Sequence, residues 1–530
     1  MTVSAPVPPV PARDRAGPFD GRSGRWFLAG VIVTVLAGTV LRFWTRSDLW
    51  LDEALTANIA SHGLGDLVSL LEHDGAPPLY YVLLHGWMKV FGTSDLANRS
   101  LSGVLGLGVL ALCWPAGARL GGASRSRRQW IAVTTLVVVA SSAYAIRYST
   151  ENRMYMLEML LVLLGYLAIW RALEHPTFPV LAAVALVTAA LLYTQYWSLY
   201  LVAVTGVSLV WVAWRGDPNG PARRTLLAVV LGCCAFLPWV PTFLYQAAHT
   251  GTPWGTPTVP PSGITLTLTD FAGGLHFDGD LVKLVLWQLP LLALFGVAIS
   301  RRHIDIDLKT RPGVRWEWIG WGATLVVALT ATFVSGNAFQ SRYAAIVYPI
   351  FVLTVGYGIT VFASRSVRYG LVAFIVVFSF AGGVRNVWES RTQGGEVAAA
   401  VNSRAKSGDV VAFCPDQIGP DASRLITADV QQGVFPGFRR ADIVDWVDYA
   451  ARNDAADPRA FADDLVKRAG PDGTIYYAYS GGYRTLGGKC EEIAQALTAS
   501  RPGAEVLVVD DDDIFEHETL LRFGPGARQP

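Results

Sequence analysis

Two carboxylates stand side by side at Asp52-Glu53, directly after Trp50-Leu51. An apolar, partly desolvated setting raises a carboxylate's pKa and a nearby arginine lowers it, so such a pair can be poised to take a proton from an attacking hydroxyl. The plain alternative is a pair solvated at a surface. The same stretch runs on through His73-Asp74-Gly75-Ala76-Pro77-Pro78-Leu79-Tyr80-Tyr81 and closes at Asn98-Arg99-Ser100. A second polar cluster is Arg147-Tyr148-Ser149-Thr150-Glu151-Asn152-Arg153-Met154-Tyr155, and two shorter ones are Tyr193-Thr194-Gln195-Tyr196-Trp197 and Gln340-Ser341-Arg342-Tyr343. Arginine forks bind phosphate bidentately. Each cluster adjoins a long apolar run, where ionisable groups are costly and therefore candidates for function.

The elements that must position these groups belong to a membrane. Of the 530 residues 52% are apolar and 16% charged, against roughly 25% charged in a soluble protein. Eleven or so apolar runs are each long enough to cross about 30 Å of hydrocarbon. They fall near residues 26–44, 98–118, 129–147, 154–172, 179–196, 197–214, 225–244, 281–300, 317–336, 343–363 and 369–387. The first is long for a signal peptide and lacks a small-residue cleavage site, so it reads as a retained span. Arginine and lysine mark one alternating set of connections: Arg13, Arg15, Arg22 and Arg25; Arg125, Arg127 and Arg128; Arg215, Arg223 and Arg224; Arg301, Arg302, Lys309 and Arg311; Arg365 and Arg368. Those connections are cytoplasmic by the positive-inside rule. Residues 1–25 thus form a cytoplasmic tail, and the four polar clusters face outward with the long first loop, residues 45–98.

From residue 388 the composition changes. This tail carries 15 basic and 23 acidic residues, against 28 and 19 before it. With an odd number of spans it lies outside, as a domain over residues 388–530. Helix-like stretches at Glu396–Ala405, Ala460–Ala469 and Glu491–Ala499 alternate with strand-like ones at Val410–Phe413, Thr474–Tyr479, Glu505–Val509 and Phe515–Phe523. That alternation predicts a small α/β layer. Cys414 and Cys490 are an even pair in a compartment that permits oxidation, either as a disulfide or as two buried thiols. The Asp510–Asp513 run reads as a solvated acidic loop before it reads as a cation site. The fold class is therefore mainly α, a polytopic membrane helical bundle with a small extracytoplasmic α/β domain. Neither half carries the basic stripe of a nucleic-acid binder.

Local spacing sets further expectations. Pro77 and Pro78 suit a helix start, after which Tyr81, His85 and Lys89 recur as a polar stripe on a helix short enough to lie in the interface. Glu151, Tyr155 and Glu158 are spaced to share one face of the following helix. For Arg147, Arg153 and Arg342 the alternative is ordinary snorkelling to headgroups, and for the tyrosines and tryptophans it is an aromatic belt. Taken together, carboxylates and arginines at an outward membrane level suit a reaction in which an anionic group departs while a hydroxyl loses its proton. Glycosyl transfer from a lipid-linked sugar phosphate has both needs, with inversion at the anomeric centre. A transporter or flippase for lipid-linked sugars would also explain intramembrane polar groups, but it calls for midplane sites and often inverted repeats. A scaffold or sensor with an outer binding domain leaves Asp52, Glu53, Asp74 and Arg99 without a task.

The early Trp-x-Asp-Glu, the Pro-Pro-Leu-Tyr-Tyr stretch and Arg99 before the second span resemble the GT-C superfamily of integral-membrane glycosyltransferases. The likeness is to its glycosyltransferase family 39-like branch, which includes protein O-mannosyltransferases, lipid A aminoarabinose transferases and actinobacterial envelope mannosyl- and arabinosyltransferases. Glu151-Asn152-Arg153-Met154-Tyr155 and Ser341-Arg342-Tyr343 resemble that branch too, so the likeness spans most of residues 25–390. The resemblance implies a polyprenyl-phosphate sugar donor, an envelope glycan, glycolipid or protein acceptor, and a bacterial plasma membrane location. It implies Asp52 as catalytic base with Glu53 in electrostatic support. Asp74, Tyr80, Arg99, Glu151, Arg153, Tyr155, Gln195, Arg342 and Tyr343 are the donor-phosphate and substrate candidates. Gly75-Ala76 before the prolines, where aminoarabinose transferases carry a lysine, disfavours that substrate. Mannose is the first expectation for the sugar and arabinose the second. No cofactor is required on this reading, although three nearby acids leave a divalent cation possible.

Overall fold

The computed structural model describes residues 17–217 and 220–526. Arg13 and Arg15 of the expected cytoplasmic tail lie outside the described residues. Apolar runs become helices because a helix satisfies every backbone polar group within its own segment, as hydrocarbon demands. The chain opens with α1 (Gly21–Leu41), three shorter helices α2 (Leu51–Ser61), α3 (Leu67–Asp74) and α4 (Leu79–Phe91), and then α5 (Asp95–Leu120). Next, α6 (Arg125–Ser141) and α7 (Ala143–Ser149) meet at a 59° bend. They are followed by α8 (Tyr155–Glu174), α9 (Phe178–Leu192), α10 (Ser198–Arg215), α11 (Pro221–Cys234), α12 (Val240–His249), α13 (Pro260–Ala272), α14 (Phe277–Leu286) and α15 (Gln288–Phe295). A hairpin of β1 (Gly296–Ala298) and β2 (Ile304–Ile306) precedes α16 (Arg315–Val334), α17 (Tyr348–Ile359) and α18 (Arg365–Trp388).

Among the described residues seven segments are long and apolar enough to cross a membrane, α11 and α12 counting as one, and the bent α6–α7 pair makes an eighth. The chain is a multi-pass membrane protein. Each of the eleven apolar runs meets a helix or helix pair, with differences in detail. α9 and α17 are shorter than a full span, and the 281–300 run divides between α14 and α15 and ends in β1. The buried core gathers Trp130, Val137, Tyr155, Met159, Tyr348 and Phe351 from α6, α8 and α17.

The bend between α6 and α7 is held in place by the first span. Ser142 caps the new helix by accepting the Ala145 N–H at 3.2 Å. The break frees carbonyls at the end of α6, and a buried C=O needs a donor. Arg42, just past α1, supplies it: its Nη2 donates to Val139 O at 2.7 Å and its Nη1 to Ala140 O at 3.0 Å. These bonds fix the kink that aims α7 and the turn after it.

Beyond α18 lie α19 (Gly394–Asn402), β3 (Val410–Cys414), α20 (Gly419–Ser423), β4 (Gln431–Val434), α21 (Tyr449–Asp454), α22 (Pro458–Ala469), β5 (Ile475–Tyr479), α23 (Lys489–Ser500), β6 (Glu505–Val508) and β7 (Thr519–Phe523). The sheet order is β4-β3-β5-β7-β6, with β3 parallel to β4 and β5 and β7 antiparallel to β5 and β6. Asp457 caps α22 through the Arg459 and Ala460 N–H groups. A disulfide joins Cys414 at the end of β3 to Cys490 in the first turn of α23, Cα to Cα 5.5 Å. The last strand is shorter than the expected Phe515–Phe523, because residues 511–516 form a turn and a bridge to Thr392.

This domain is seated on the helices and loops that follow α1 and precede α13. Val444 and Tyr449 join Trp50, Leu51, Leu55, Ile59, Leu71 and Trp239 in one apolar cluster. Around it Asn58 Nδ2 donates to Asp442 O at 2.7 Å, the Trp446 N–H donates to His73 O at 2.9 Å, and His73 Nδ1 lies 2.8 Å from Asp445 Oδ1.

Candidate active site

Asp52 and Glu53 occupy the first turn of α2, a short helix separate from the first span. Successive helical residues diverge by about 100°, and the two carboxylates meet opposite surroundings. Glu53 is fully buried. Its Oε1 accepts from Arg99 Nε at 2.7 Å and from the Asn152 N–H at 2.8 Å, and its Oε2 from Arg99 Nη2 at 2.5 Å and Arg391 Nη1 at 3.5 Å. Burial pushes this carboxyl up, but Arg99, Arg391 and the Asn152 N–H together hold it below the usual carboxylate range.

Arg99 uses four of its five N–H donors within the fold. It also donates to Ser47 O at 2.6 Å and Asp48 O at 2.8 Å. Arg391 donates to Thr150 O at 2.9 Å and Thr150 Oγ1 at 2.8 Å, while its Nε has no hydrogen-bond partner among the described residues. Tyr80 is buried beside them, its hydroxyl 3.0 Å from Ser102 Oγ and donating to Asn152 Oδ1 at 3.1 Å. Glu53, Tyr80 and Arg99 thus belong to one buried network that ties the first loop, α5, the 150–154 turn and the segment before α19 together.

Asp52 points the other way. Its Oδ2 lies 3.2 Å from Arg342 Nη1, and the two side chains keep 15% and 19% exposure, so both can be reached. The pair is not aligned as a hydrogen bond, and Asp52 Oδ2 has no such partner among the described residues. Arg342 lies at the start of the 3₁₀ turn Ser341–Ile346 ahead of α17. Its guanidinium sits 5.4 Å from the Trp50 ring and 5.8 Å from the Tyr343 ring, cation–π contacts that fix its plane. Arg153 approaches from the turn before α8, donating to Thr56 Oγ1 at 2.8 Å and weakly to Asp52 O at 3.4 Å.

Around this pair several buried polar atoms lack a hydrogen-bond partner among the described residues: Arg342 Nε, Arg153 Nε, the Tyr155 hydroxyl and Trp50 Nε1. Buried polar groups are usually satisfied, and with Asp52 Oδ2 also open these atoms give the cluster spare hydrogen-bonding capacity. Asp74, at the end of α3, accepts from the Tyr81 hydroxyl at 2.5 Å. Burial pushes its carboxyl up against the pull of Arg153 and that hydrogen bond.

Two expectations change. Glu151 does not share a helical face with Tyr155, because α8 begins only at Tyr155 and Glu151 lies in the irregular turn ahead of it. There Arg147 Nε pairs with it at 3.0 Å. Likewise the Tyr81, His85 and Lys89 stripe does not face an interface as a unit. Tyr81 binds Asp74, His85 Nδ1 contacts Ala60 O at 2.8 Å, and Lys89 alone is exposed. Gln195, with its amide nitrogen turned toward Glu158, donates to that carboxylate at 2.5 and 3.0 Å, away from Asp52's partners. Arg391, Thr56, Asn152 and the outer-domain residue Glu516 were not anticipated. Asn152 lies in the Glu151–Tyr155 stretch and the others in no motif, and each acts on residues far away in the chain. Among the described residues one trio of metal-ligating groups converges, the exposed Asp510, Asp512 and half-buried His517 on the outer domain, apart from these carboxylates.

No protein-family profile matches the sequence, and neither does any curated protein. Among solved structures, apo ArnT from Cupriavidus metallidurans is similar, with a TM-score of 0.61 at 12% identity over 94% of this chain and 98% of that one. ArnT from the same organism bound to undecaprenyl phosphate gives a TM-score of 0.57 at 12% identity, over 95% and 98%. Such coverage takes in both the membrane bundle and the outer domain. The chain shares the fold of these ArnT structures.

Proposed function

We propose that the protein is an inverting glycosyltransferase that moves a sugar from a polyprenyl-phosphate donor to a cell-envelope hydroxyl on the outer face of a bacterial plasma membrane. The observation that carries this reading is the reachable Asp52–Arg342 pair, with Arg153 and the Tyr155 hydroxyl beside it. The similar ArnT structure with undecaprenyl phosphate supports the donor class. The N-terminus is cytoplasmic and the acidic domain outside, as the arginine-bearing loops imply.

A donor phosphate entering here competes with Asp52 for Arg342 and draws on the unsatisfied Nε atoms of Arg342 and Arg153. That competition releases the carboxylate for its own task. The acceptor oxygen attacks the anomeric carbon from the side opposite the phosphate and gives its proton to Asp52. The bond from carbon to phosphate oxygen breaks as the new one forms, and the arginines hold the departing charge. Two guanidinium groups supply the neutralisation a divalent cation would otherwise bring, so a metal is at most an aid. Asp74 and Tyr343 border the donor, and mannose, then arabinose, is the sugar favoured by the envelope enzymes the sequence resembles. The acceptor is an envelope glycan, glycolipid or protein.

The test incubates the purified protein with radiolabelled polyprenyl-phosphate sugars and envelope acceptors and identifies the product. Asp52→Asn should lower turnover by about 10²-fold or more with insertion and binding of the lipid phosphate retained. Full turnover in that variant removes Asp52 as base.

A further inference from the structure

The first N–H groups of a helix need acceptors, and Ser, Thr, Asp or Asn at the capping position usually supply one. At the start of α2 that position holds Trp50, which has no such oxygen. The acceptor comes instead from the outer domain, 465 residues away in the chain. Both carboxylate oxygens of Glu516 accept the Leu51 N–H, at 3.0 and 2.9 Å. The preceding residue, Phe515, sets its ring edge-on to Trp50 with centroids 5.4 Å apart. Trp50 in turn packs on the Arg342 guanidinium, which pairs with Asp52. Two contacts from one dipeptide thus converge on the same carboxylate, one through the backbone of α2 and one through an aromatic ring and an arginine.

The dipeptide is itself held firmly. The Glu516 N–H donates to Arg391 O and the Gln393 N–H to Glu516 O, both at 3.0 Å. Gln393 Oε1 accepts from the Glu518 N–H at 2.9 Å and the Asp511 N–H at 3.1 Å. Arg391 is anchored in the network around Glu53.

We infer that Glu516 is a positioning residue for the proposed base: the outer domain caps α2 in trans and so sets the orientation of Asp52, with Phe515 bracing Trp50 beside it. This inference rests on the reading of Asp52 as base, and the experiment separates the two. In the full-length protein, Glu516→Ala should lower kcat between about 10- and 100-fold, the size of loss that small misplacements of a reacting group bring, while donor affinity stays within about 2-fold. Glu516→Gln keeps an acceptor oxygen and should restore most of the rate. Leu51→Pro deletes the N–H at a position where proline suits a helix start. It should reproduce the loss, and combining it with Glu516→Ala should add nothing further.

A readout free of turnover is amide hydrogen exchange, which should speed up in the first turn of α2 in Glu516→Ala. Additive losses in the double variant, equal damage from Gln and Ala, or unchanged exchange each overturn the inference. If Asp52→Asn abolishes turnover while Glu516→Ala leaves it intact, the inference fails and the base survives. If Asp52→Asn turns over normally, the base itself is lost.

Discussion

Behind Glu53 and in front of Asp52 the molecule uses the same kinds of side chain to opposite effect. The rear network pairs one carboxylate with Arg99 and Arg391 and fills the remaining oxygen positions with a backbone N–H. The forward cluster also pairs a carboxylate with an arginine, yet leaves Asp52 Oδ2 and the Tyr155 hydroxyl without hydrogen-bond partners among the described residues. Charge type does not distinguish the two carboxylates; the bonding of their own oxygens does, since Glu53 accepts four N–H donors and Asp52 Oδ2 none among the described residues. A saturated network rigidifies, and an unsaturated one has capacity left for a ligand.

The strongest test of that contrast is Glu53→Ala. It strands two buried guanidinium groups, and breaking a buried pair by removing one partner costs about 3–5 kcal/mol. The variant should lose thermal stability and membrane-inserted yield together, as measured by detergent-extracted protein and its melting temperature. Asp52→Asn, one residue earlier, should leave both measures near wild type. If the two substitutions destabilise equally, the contrast between rear and front disappears.

A smaller effect is expected at the arginines of the forward cluster. Arg342→Ala and Arg153→Ala should each weaken binding of undecaprenyl phosphate by about 10- to 100-fold, the worth of a charge-assisted contact. Arg342→Lys should recover only part, since an ammonium lacks the planar fork and its stacking on Trp50. Isothermal titration with the lipid phosphate in detergent measures this, and unchanged affinity removes the residue from the donor site.

The bundle could be read from composition because each span announces itself locally, over some twenty consecutive residues. The outer strands Val410–Cys414 and Ile475–Tyr479 were equally readable, as apolar runs behind Gly-Asp and Pro-Asp-Gly turns. The strand Gln431–Val434 was not, since Gln-Gln-Gly-Val has no alternation and is defined only by its pairing with β3. The site divides the same way. Asp52-Glu53 stood out as a pair, but which member meets the ligand depends on Arg99, Asn152 and Arg391, partners 46, 99 and 338 residues distant. Glu151 was placed on a helix because spacing cannot see that the turn at Asn152 delays the start of α8. Glu516 carried no signal at all, because its partner is a backbone N–H in another domain.

A third cluster shows where the completeness rule needs a second criterion. Within the C-terminal domain Glu518 is fully buried with neither carboxylate oxygen partnered, and Asp421 Oδ1 is likewise unpartnered among the described residues. Asp421 accepts from the Thr392 hydroxyl, and Glu516, Glu518 and Asp48 add like charge nearby. No arginine pairs with Glu518 or Asp421 among the described residues, so protonation can satisfy these acids, whereas Asp52 has the Arg342 guanidinium beside it. Burial pushes Asp421 up to about 7 and Glu518 well above the usual range.

The sign follows from linkage. Below about pH 4 Asp421 is protonated whether the protein is folded or unfolded and does not affect the balance. Between about 4 and 7 the unfolded chain gives up the proton while the folded protein keeps it, so stability falls as pH rises. Above about 7 the loss is complete. The melting temperature should therefore drop between pH 5 and pH 7.5, and Asp421→Asn, which mimics the neutral acid and still accepts from Thr392, should flatten that drop by about 2 °C. An unaltered pH slope in the variant would mean that Asp421 is ionised in the fold, and that incompleteness alone suffices to identify a binding site.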